Sequence, residues 1–335
     1  MPKPTPFPIT PPPGVVLTEA GKVIAGRYSY TDRVRFVRGR PQKYGGWTQL
    51  DAAATSGTPR ASHAWRDNVT NNYFAAGTYR KLYVYDTGWG QNDVTPYRAT
   101  GTLGNNPFTT TSGATAVAVN HTTHGLGAGD TAILAGATAF NNVTMNGAFI
   151  VQTMTDANNY VIAAGTIASA SGAGGGNAVT FKYEIPVGVE VGTYGYGFGV
   201  GGYGLSTYGT SRTQSTIYIE PRVWSLDHFG QLLIAAYNGG TIYQFDPTQV
   251  QPWPRAVAIA SDAMLPADCR FAFVTPERFV FALRAGMNVS WNSQGDLTTW
   301  TPSATNTANT RTLTEGTKLV DESGKALAMV PAAIT

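Results

Sequence analysis

The sequence is poor in charge, in cysteine, in histidine and in long apolar runs, and each shortage removes a class of explanation. Only 13% of its 335 residues are Asp, Glu, Lys or Arg, about half the share common in soluble domains. Such a surface is either a free Thr-, Asn- and Gly-rich β surface or one that spends much of its area against other chains. The single cysteine excludes a disulfide framework within the chain. Cys269 lies in Ala267-Asp268-Cys269-Arg270-Phe271 beside an apolar strand with no neighbouring His, and reads as a buried structural thiol. No run reaches the ~18 apolar residues of a membrane-spanning helix. Met1-Pro2-Lys3-Pro4 leads into more prolines rather than an apolar stretch, so no signal peptide is expected and synthesis in a cytoplasm-like compartment is. The net charge of +3 is too small to argue for nucleic acid by itself.

Catalytic constellations are equally scarce. The four histidines are His63, His121, His124 and His228. His121 and His124 fall in a turn region where strand spacing does not aim both rings at one ion, so no metal is expected. The glycine-rich runs lack the Gly-Lys-Ser/Thr ending of a phosphate loop, and no dinucleotide site is supported. Asp and Glu are too sparse for an acid/base pair, which leaves a carbohydrate-cleaving enzyme as the third-ranked reading. No cofactor is expected, and the chain is not expected to be an enzyme.

What is abundant is turn chemistry, with 39 glycines and 20 prolines, and one repeated phrase. Trp65-Arg66-Asp67-Asn68, Tyr73-Phe74-Ala75-Ala76 and Leu82-Tyr83-Val84-Tyr85-Asp86 are echoed by Trp224-Ser225-Leu226-Asp227, Leu232-Leu233-Ile234-Ala235-Ala236 and Ile242-Tyr243-Gln244-Phe245-Asp246. Each copy reads as short β-branched and aromatic strands joined by turns, the unit by which propellers bury faces that one blade cannot bury alone. Asp86 with Asp246, and Asn68 with Asp227, occupy equivalent places in the phrase, which assigns them to turn hydrogen bonding. Phe271-Ala272-Phe273-Val274 and Phe279-Val280-Phe281-Ala282-Leu283 flank a Thr-Pro-Glu-Arg turn and begin a further blade-like unit.

Four segments organise the chain. Residues 1–14 are a Pro-rich arm; 15–105 and 184–335 are two parts of a β-propeller-like body that need not close within one chain; and 106–183, rich in Ala, Thr, Asn and Gly, are an inserted small antiparallel β barrel or sandwich. The expected fold class is therefore all-β. In the body, Val34 and Phe36 alternate with Arg33 and Arg35, the Gly39 to Gly46 stretch is turn, and Trp47 re-enters the core. Arg33, Arg35, Arg38, Arg40 and Lys43 are candidate DNA-channel or subunit contacts, since five cations within eleven residues suit either phosphates or the charged edge of a sheet. A run alternating aromatic residues with glycine supplies Tyr194, Tyr196, Phe198, Tyr203 and Tyr208, which are candidate partner contacts or a cover over the propeller.

Several of these phrases occur together in one family. Arg33-Val34-Arg35-Phe36-Val37-Arg38-Gly39-Arg40-Pro41 with Lys43-Tyr44-Gly45-Gly46-Trp47, the run ending in Tyr208-Gly209-Thr210, Trp224-Ser225-Leu226-Asp227 with Gly239-Gly240-Thr241-Ile242-Tyr243, and above all Ser293-Gln294-Gly295-Asp296-Leu297-Thr298-Thr299-Trp300-Thr301-Pro302 resemble the tail nozzle, or packaged-DNA stabilisation, proteins of short-tailed bacteriophages. His124-Gly125-Leu126-Gly127-Ala128-Gly129-Asp130 resembles a small β module of phage virion proteins. The resemblance implies a homo-oligomeric ring, commonly a hexamer, that extends the tail channel below the portal and adaptor. It implies retention of packaged DNA, its non-specific passage on ejection, contacts with tail fibre or spike proteins, and a place in the virion after synthesis in the host cytoplasm. The chain departs from that pattern by stopping soon after Pro331, where members of the family continue with further blades. A host-surface glycan-binding tail module is the alternative.

Overall fold

The computed structural model describes residues 14–15, 28, 30–45, 53–192, 220–260, 262–313, 318–320 and 326–329. The Pro-rich segment through Pro13, Trp47, and the five aromatic candidates Tyr194, Tyr196, Phe198, Tyr203 and Tyr208 lie outside the described residues. The chain forms two compact units, Met1–Ala52 and Ala53–Thr335. It is all-β: the regular elements among the described residues are strands, apart from a 3-10 turn at Ala285–Met287.

In the first unit, β1 (Val34–Val37) and β2 (Arg40–Lys43) make an antiparallel hairpin with Val34 opposite Lys43 and Val37 opposite Arg40. Val34 and Phe36 are half-buried while Arg35 and Val37 are exposed, the period-2 alternation that the sequence carries.

The second unit is a propeller-like body built on three four-stranded antiparallel meanders. The first blade is β3 (Pro59–Arg66), β4 (Asn72–Thr78), β5 (Leu82–Tyr85) and β6 (Gln91–Asp93). Eight strands then form the inserted sheet: β7 (Tyr97–Thr102), β8 (Phe108–Thr110), β9 (Ala116–Asn120), β10 (Thr131–Ala135), β11 (Gly147–Asp156), β12 (Asn159–Ala163), β13 (Gly172–Gly174) and β14 (Thr180–Glu184). The second blade is β15 (Trp224–Phe229), β16 (Leu232–Tyr237), β17 (Ile242–Phe245) and β18 (Val257–Ala258). The third is β19 (Cys269–Val274), β20 (Val280–Arg284), β21 (Asn288–Trp291) and β22 (Asn309–Thr312). A hairpin of β23 (Lys318–Val320) and β24 (Ala326–Met329) follows.

Strand alternation explains the stacking. Leu233, Ala235, Tyr243 and Phe245 share one apolar core with Ala75, Leu82 and Val84 of the first blade. Their chain neighbours Ile234, Ala236 and Ile242 share another with Ala272, Val280, Ala282 and Trp300 of the third. The second blade is therefore apolar on both faces because both are covered, and the unbroken Leu-Leu-Ile-Ala-Ala run of β16 is the sequence of a strand buried on two sides.

Two tryptophans seal the first junction from opposite ends. Trp65 of the first blade donates its indole N–H to the Gln231 carbonyl in the second blade at 2.9 Å. Trp224 of the second blade donates back to the Thr78 carbonyl in the first at 2.8 Å. Each buried indole thereby keeps its one donor satisfied while filling the core. Gly77 matters here, because a Cβ at that position would sit 2.6 Å from Trp224 Cδ1.

This geometry corrects one expectation. Tyr83 pairs with Ala76 and Tyr243 pairs with Ala235, so the Leu/Ile-Tyr-x-Tyr/Phe-Asp phrases do superpose. In that superposition His63 rather than Asn68 takes the place of Asp227, since these pair with Ala75 and Ile234. Trp65 matches Phe229, and Trp224 falls at the other end of the strand. The longer first hairpin, with residues 67–71 in its loop against 230–231 in the second blade, displaces the tryptophans.

The inserted sheet runs in the order β13-β8-β9-β12-β11-β10-β14-β7 and is antiparallel throughout. Its edge strand β7 begins at Tyr97, ahead of residue 106. The long strand β11 pairs with β10 through its first half and with β12 through its second, across a bulge, and the sheet curls around its own core of Phe108, Leu134, Met145, Tyr160 and Ile162. β13 and β7 are its ends in the pairing order, so ladder hydrogen bonds do not close it into a barrel among the described residues.

Where the inserted sheet rejoins the blades, four charges meet. Glu184 on β14, only 1% exposed, accepts from Lys81 Nζ of the first blade at 2.5 Å and lies 3.2 Å from Arg255 Nη2. Lys81 and Arg255 both also reach Asp93. Burial pushes the Asp93 carboxyl up, but Arg255 and Lys81 beside it outweigh that and hold it below its ordinary value. Each buried charge is paired, the condition under which such a cluster is tolerated.

Candidate functional site

The basic candidates all lie on the first-unit hairpin or at its ends, and all five are exposed. Residues directly opposite in an antiparallel pair project to the same face, so Arg35, opposite Gln42, shares a face with Arg40, opposite Val37. Lys43, opposite Val34, lies on the other face. Arg33 and Arg38 take positive φ values of 55° and 49° at the strand entry and the turn. Arg35 Nε donates to Gln42 Oε1 at 3.1 Å, and its guanidinium stands 5.8 Å from the centre of the Tyr44 ring. Arg33 contacts Asp32 at 3.8 Å. The structure thus brings Arg35 and Arg40 together and separates Lys43 from them.

The remaining sequence candidates resolve into structural roles. His121 Nδ1 meets the Tyr183 hydroxyl at 2.8 Å, whereas His124 Nε2 meets the Asp156 carbonyl and His124 Nδ1 accepts from Leu126 N–H. The two rings serve different partners. Burial pushes the Tyr183 hydroxyl up to about 12. Cys269 is buried; desolvation pushes its thiol up to about 12, far from the thiolate that reactivity needs.

Asp86 Oδ1 accepts from Gly88 and Gly90 N–H, and Asp246 Oδ1 from Thr248 N–H and Oγ1, both as turn anchors. In the Ser-Gln-Gly-Asp-Leu phrase, Asp296 likewise accepts from Thr298 and Thr299. Leu297 and Trp300 insert into the core shared by the second and third blades. Asp262, in the linker between those blades, accepts from Trp300 N–H, Thr301 N–H, Thr301 Oγ1 and Met264 N–H. Those bonds, the Thr301 hydroxyl foremost, hold its carboxyl far below its ordinary value.

One constellation was not visible in the sequence. The first strands of adjacent blades bring His63 of β3 against Asp227 and His228 of β15. His63 Nε2 lies 3.0 Å from His228 Nδ1 and 4.0 Å from Asp227 Oδ1, and His228 Nδ1 lies 3.6 Å from the same oxygen. Among the described residues this is where three metal-ligating side chains converge. Asp227 is anchored, with Oδ1 accepting from His228 N–H and Oδ2 from Val274 N–H of the third blade. Trp65 stacks on His63 with ring centres 6.2 Å apart. Desolvation, together with the neighbouring His228, lowers the His63 pKa against the opposing pull of Asp227. His228 also lines a cavity of about 680 Å³ with Ala64, Arg66, Phe74, Asp86 and Trp89. His63 and Asp227 occupy superposable places in consecutive blades; that relation was the available signal, but the tryptophan-based alignment hid it.

No family model and no curated protein matches the chain. Among solved structures it is similar to the phage phi92 endosialidase, at 12% identity over 69% of this chain and 35% of that one, with a TM-score of 0.22. The chain spans about a third of the length of that structure, and at such a score the likeness carries no argument.

Proposed function

We propose that this chain is a structural virion protein of a phage tail, a nozzle or hub subunit that assembles with copies of itself into a ring of about six. The ring extends the DNA channel below the portal and adaptor, retains the packaged genome and lets it pass on ejection. It acts as a wall rather than a catalyst. The family resemblance supplies the identity of the assembly, and one structural observation supports assembly itself.

That observation is the outer face of the third blade. Phe271, Phe273, Phe281, Leu283 and Trp291 share it, with Phe281 stacked between Phe273 and Trp291 at ring-centre distances of 5.5 Å on each side. Phe271 is 49% and Leu283 39% exposed. The equivalent face of the second blade is covered by the third. A contiguous aromatic face of this kind marks a surface that another element covers, which is what a ring neighbour or a further blade supplies. The exposed Arg35 and Arg40 offer non-specific phosphate contacts.

The test is co-purification with portal and adaptor followed by electron microscopy of the tail. A ring seated below the adaptor is expected; a stable monomer with no affinity for either protein contradicts the proposal. A glycan-binding tail module is the second reading, favoured by the cavity where Trp89 is 44% exposed beside Arg66 and Asp86. Glycan-array binding lost on Trp89→Ala would establish it.

A further inference from the structure

We propose that His63, Asp227 and His228 form a binding site for a borderline divalent cation of the Zn²⁺ class, which cross-links the first two blades. The argument is first geometric. The three candidate ligand atoms are 3.0, 3.6 and 4.0 Å apart, and the circle through them has a radius of about 2.1 Å, the bond length of Zn²⁺ to imidazole nitrogen or carboxylate oxygen. An ion at that centre lies within bonding distance of all three.

The ligand set points to the class of ion. Two imidazoles and one carboxylate suit zinc, nickel, copper or cobalt, whereas calcium and magnesium call for oxygen ligands. The site is reachable, with His63 and Asp227 side chains 21% and 25% exposed and His228 47% exposed beside the cavity.

The supports of the ligands are also in place. Asp227 is fixed by the N–H groups of His228 and Val274, and His63 is braced by the Trp65 ring, so two ligands are oriented before an ion arrives. The structural alternative is a plain imidazole-to-imidazole hydrogen bond, for which 3.0 Å is an ordinary length. In that arrangement one of the two facing nitrogens carries a proton. Ligation requires the donor ring to move it to its other nitrogen, a tautomer change that leaves both facing nitrogens free to bind.

Titration calorimetry of tag-free full-length protein with ZnCl₂ at pH 7.5, alongside His63→Gln, His228→Gln and Asp227→Asn, tests this. One saturable site is expected in the parent chain, with affinity falling roughly tenfold or more in each variant. Thermal unfolding in EDTA guards against misfolding. Each variant is expected to melt within a few degrees of the metal-free parent and to lose the rise in Tm that excess Zn²⁺ gives the parent by binding the folded state. Absence of saturable binding by the parent, or unchanged stoichiometric binding by His63→Gln and His228→Gln, overturns the proposal in favour of the hydrogen bond. Should a variant fail to fold, loss of Zn²⁺ binding on blocking His228 with diethyl pyrocarbonate, mapped by mass spectrometry, replaces it; retained binding then overturns the proposal.

Discussion

Replacing Gly77 by Ala probes the junction between the first two blades through a single methyl group. The added Cβ would lie 2.6 Å from Trp224 Cδ1 and 2.7 Å from Cγ, inside any tolerable carbon contact, and the indole is held by its bond to the Thr78 carbonyl and by burial to 3% exposure. Overpacking of this kind costs about 1–3 kcal/mol. The backbone at Gly77 does not have positive φ, so Ala by itself recovers about 0.4–1 kcal/mol by restricting the unfolded chain. The net expectation is a loss of roughly 0–2.6 kcal/mol, read as a lower urea midpoint by far-ultraviolet circular dichroism with an unchanged slope.

Trp224→Ala alone is expected to cost roughly 3–5 kcal/mol. In that background the Cδ1 and Cγ contacts are gone but the Cβ of residue 224, 2.9 Å from the added methyl, remains, so Gly77→Ala keeps part of its cost. The double-mutant cycle therefore carries a coupling of about 0.5–2 kcal/mol. Additivity of the two changes within about 0.5 kcal/mol, or a Gly77→Ala that stabilises the parent, refutes the packed junction.

Three further outcomes are expected. Cys269, buried with its thiol pushed up to about 12, is predicted to resist iodoacetamide at pH 8 in the folded chain and to react fully in urea; rapid native labelling contradicts its placement. The lowered carboxyls of Asp93, Asp262 and Asp296 stabilise the fold fully above the ordinary Asp value of about 3.9 and cease to do so as pH falls through the folded-state values. The urea midpoint is thus expected to drop below about pH 4; Asp262→Asn is expected to be less stable at pH 6 and to show a shallower acid loss, and an unaltered acid slope would count against the Asp262 anchor. Replacing Arg33, Arg35, Arg38 and Arg40 with Gln is expected to weaken genome retention in particles whose rings remain assembled, whereas falling apart of the ring would reassign those residues to subunit contacts.

The parts of the fold that were legible in sequence are those where local chemistry and burial agree. The Leu-Tyr-Val-Tyr-Asp and Ile-Tyr-Gln-Phe-Asp strands superpose because alternation fixes their faces and the closing Asp anchors a turn in both. The inserted strands announced themselves through period-2 patterns between Asn- and Gly-bearing turns.

The tryptophans misled because a longer first hairpin put them at opposite strand ends, a difference in register that identity of residue type does not reveal. The His63, Asp227 and His228 cluster was invisible for a related reason: its members are 165 residues apart for the histidine pair, and only blade stacking, with an eight-stranded insertion looped out between, brings them together. The clustered arginines, by contrast, were legible as charge, but the hairpin register was needed to separate Lys43 from Arg35 and Arg40.

Whether this chain assembles into a ring as a tail subunit is decided by the native mass of the purified protein at micromolar concentration. A single closed species of about six chains is expected, one that dissociates when Phe281→Glu places charge on the open face of the third blade. A monomer at every concentration tested, unaffected by Phe281→Glu, contradicts it.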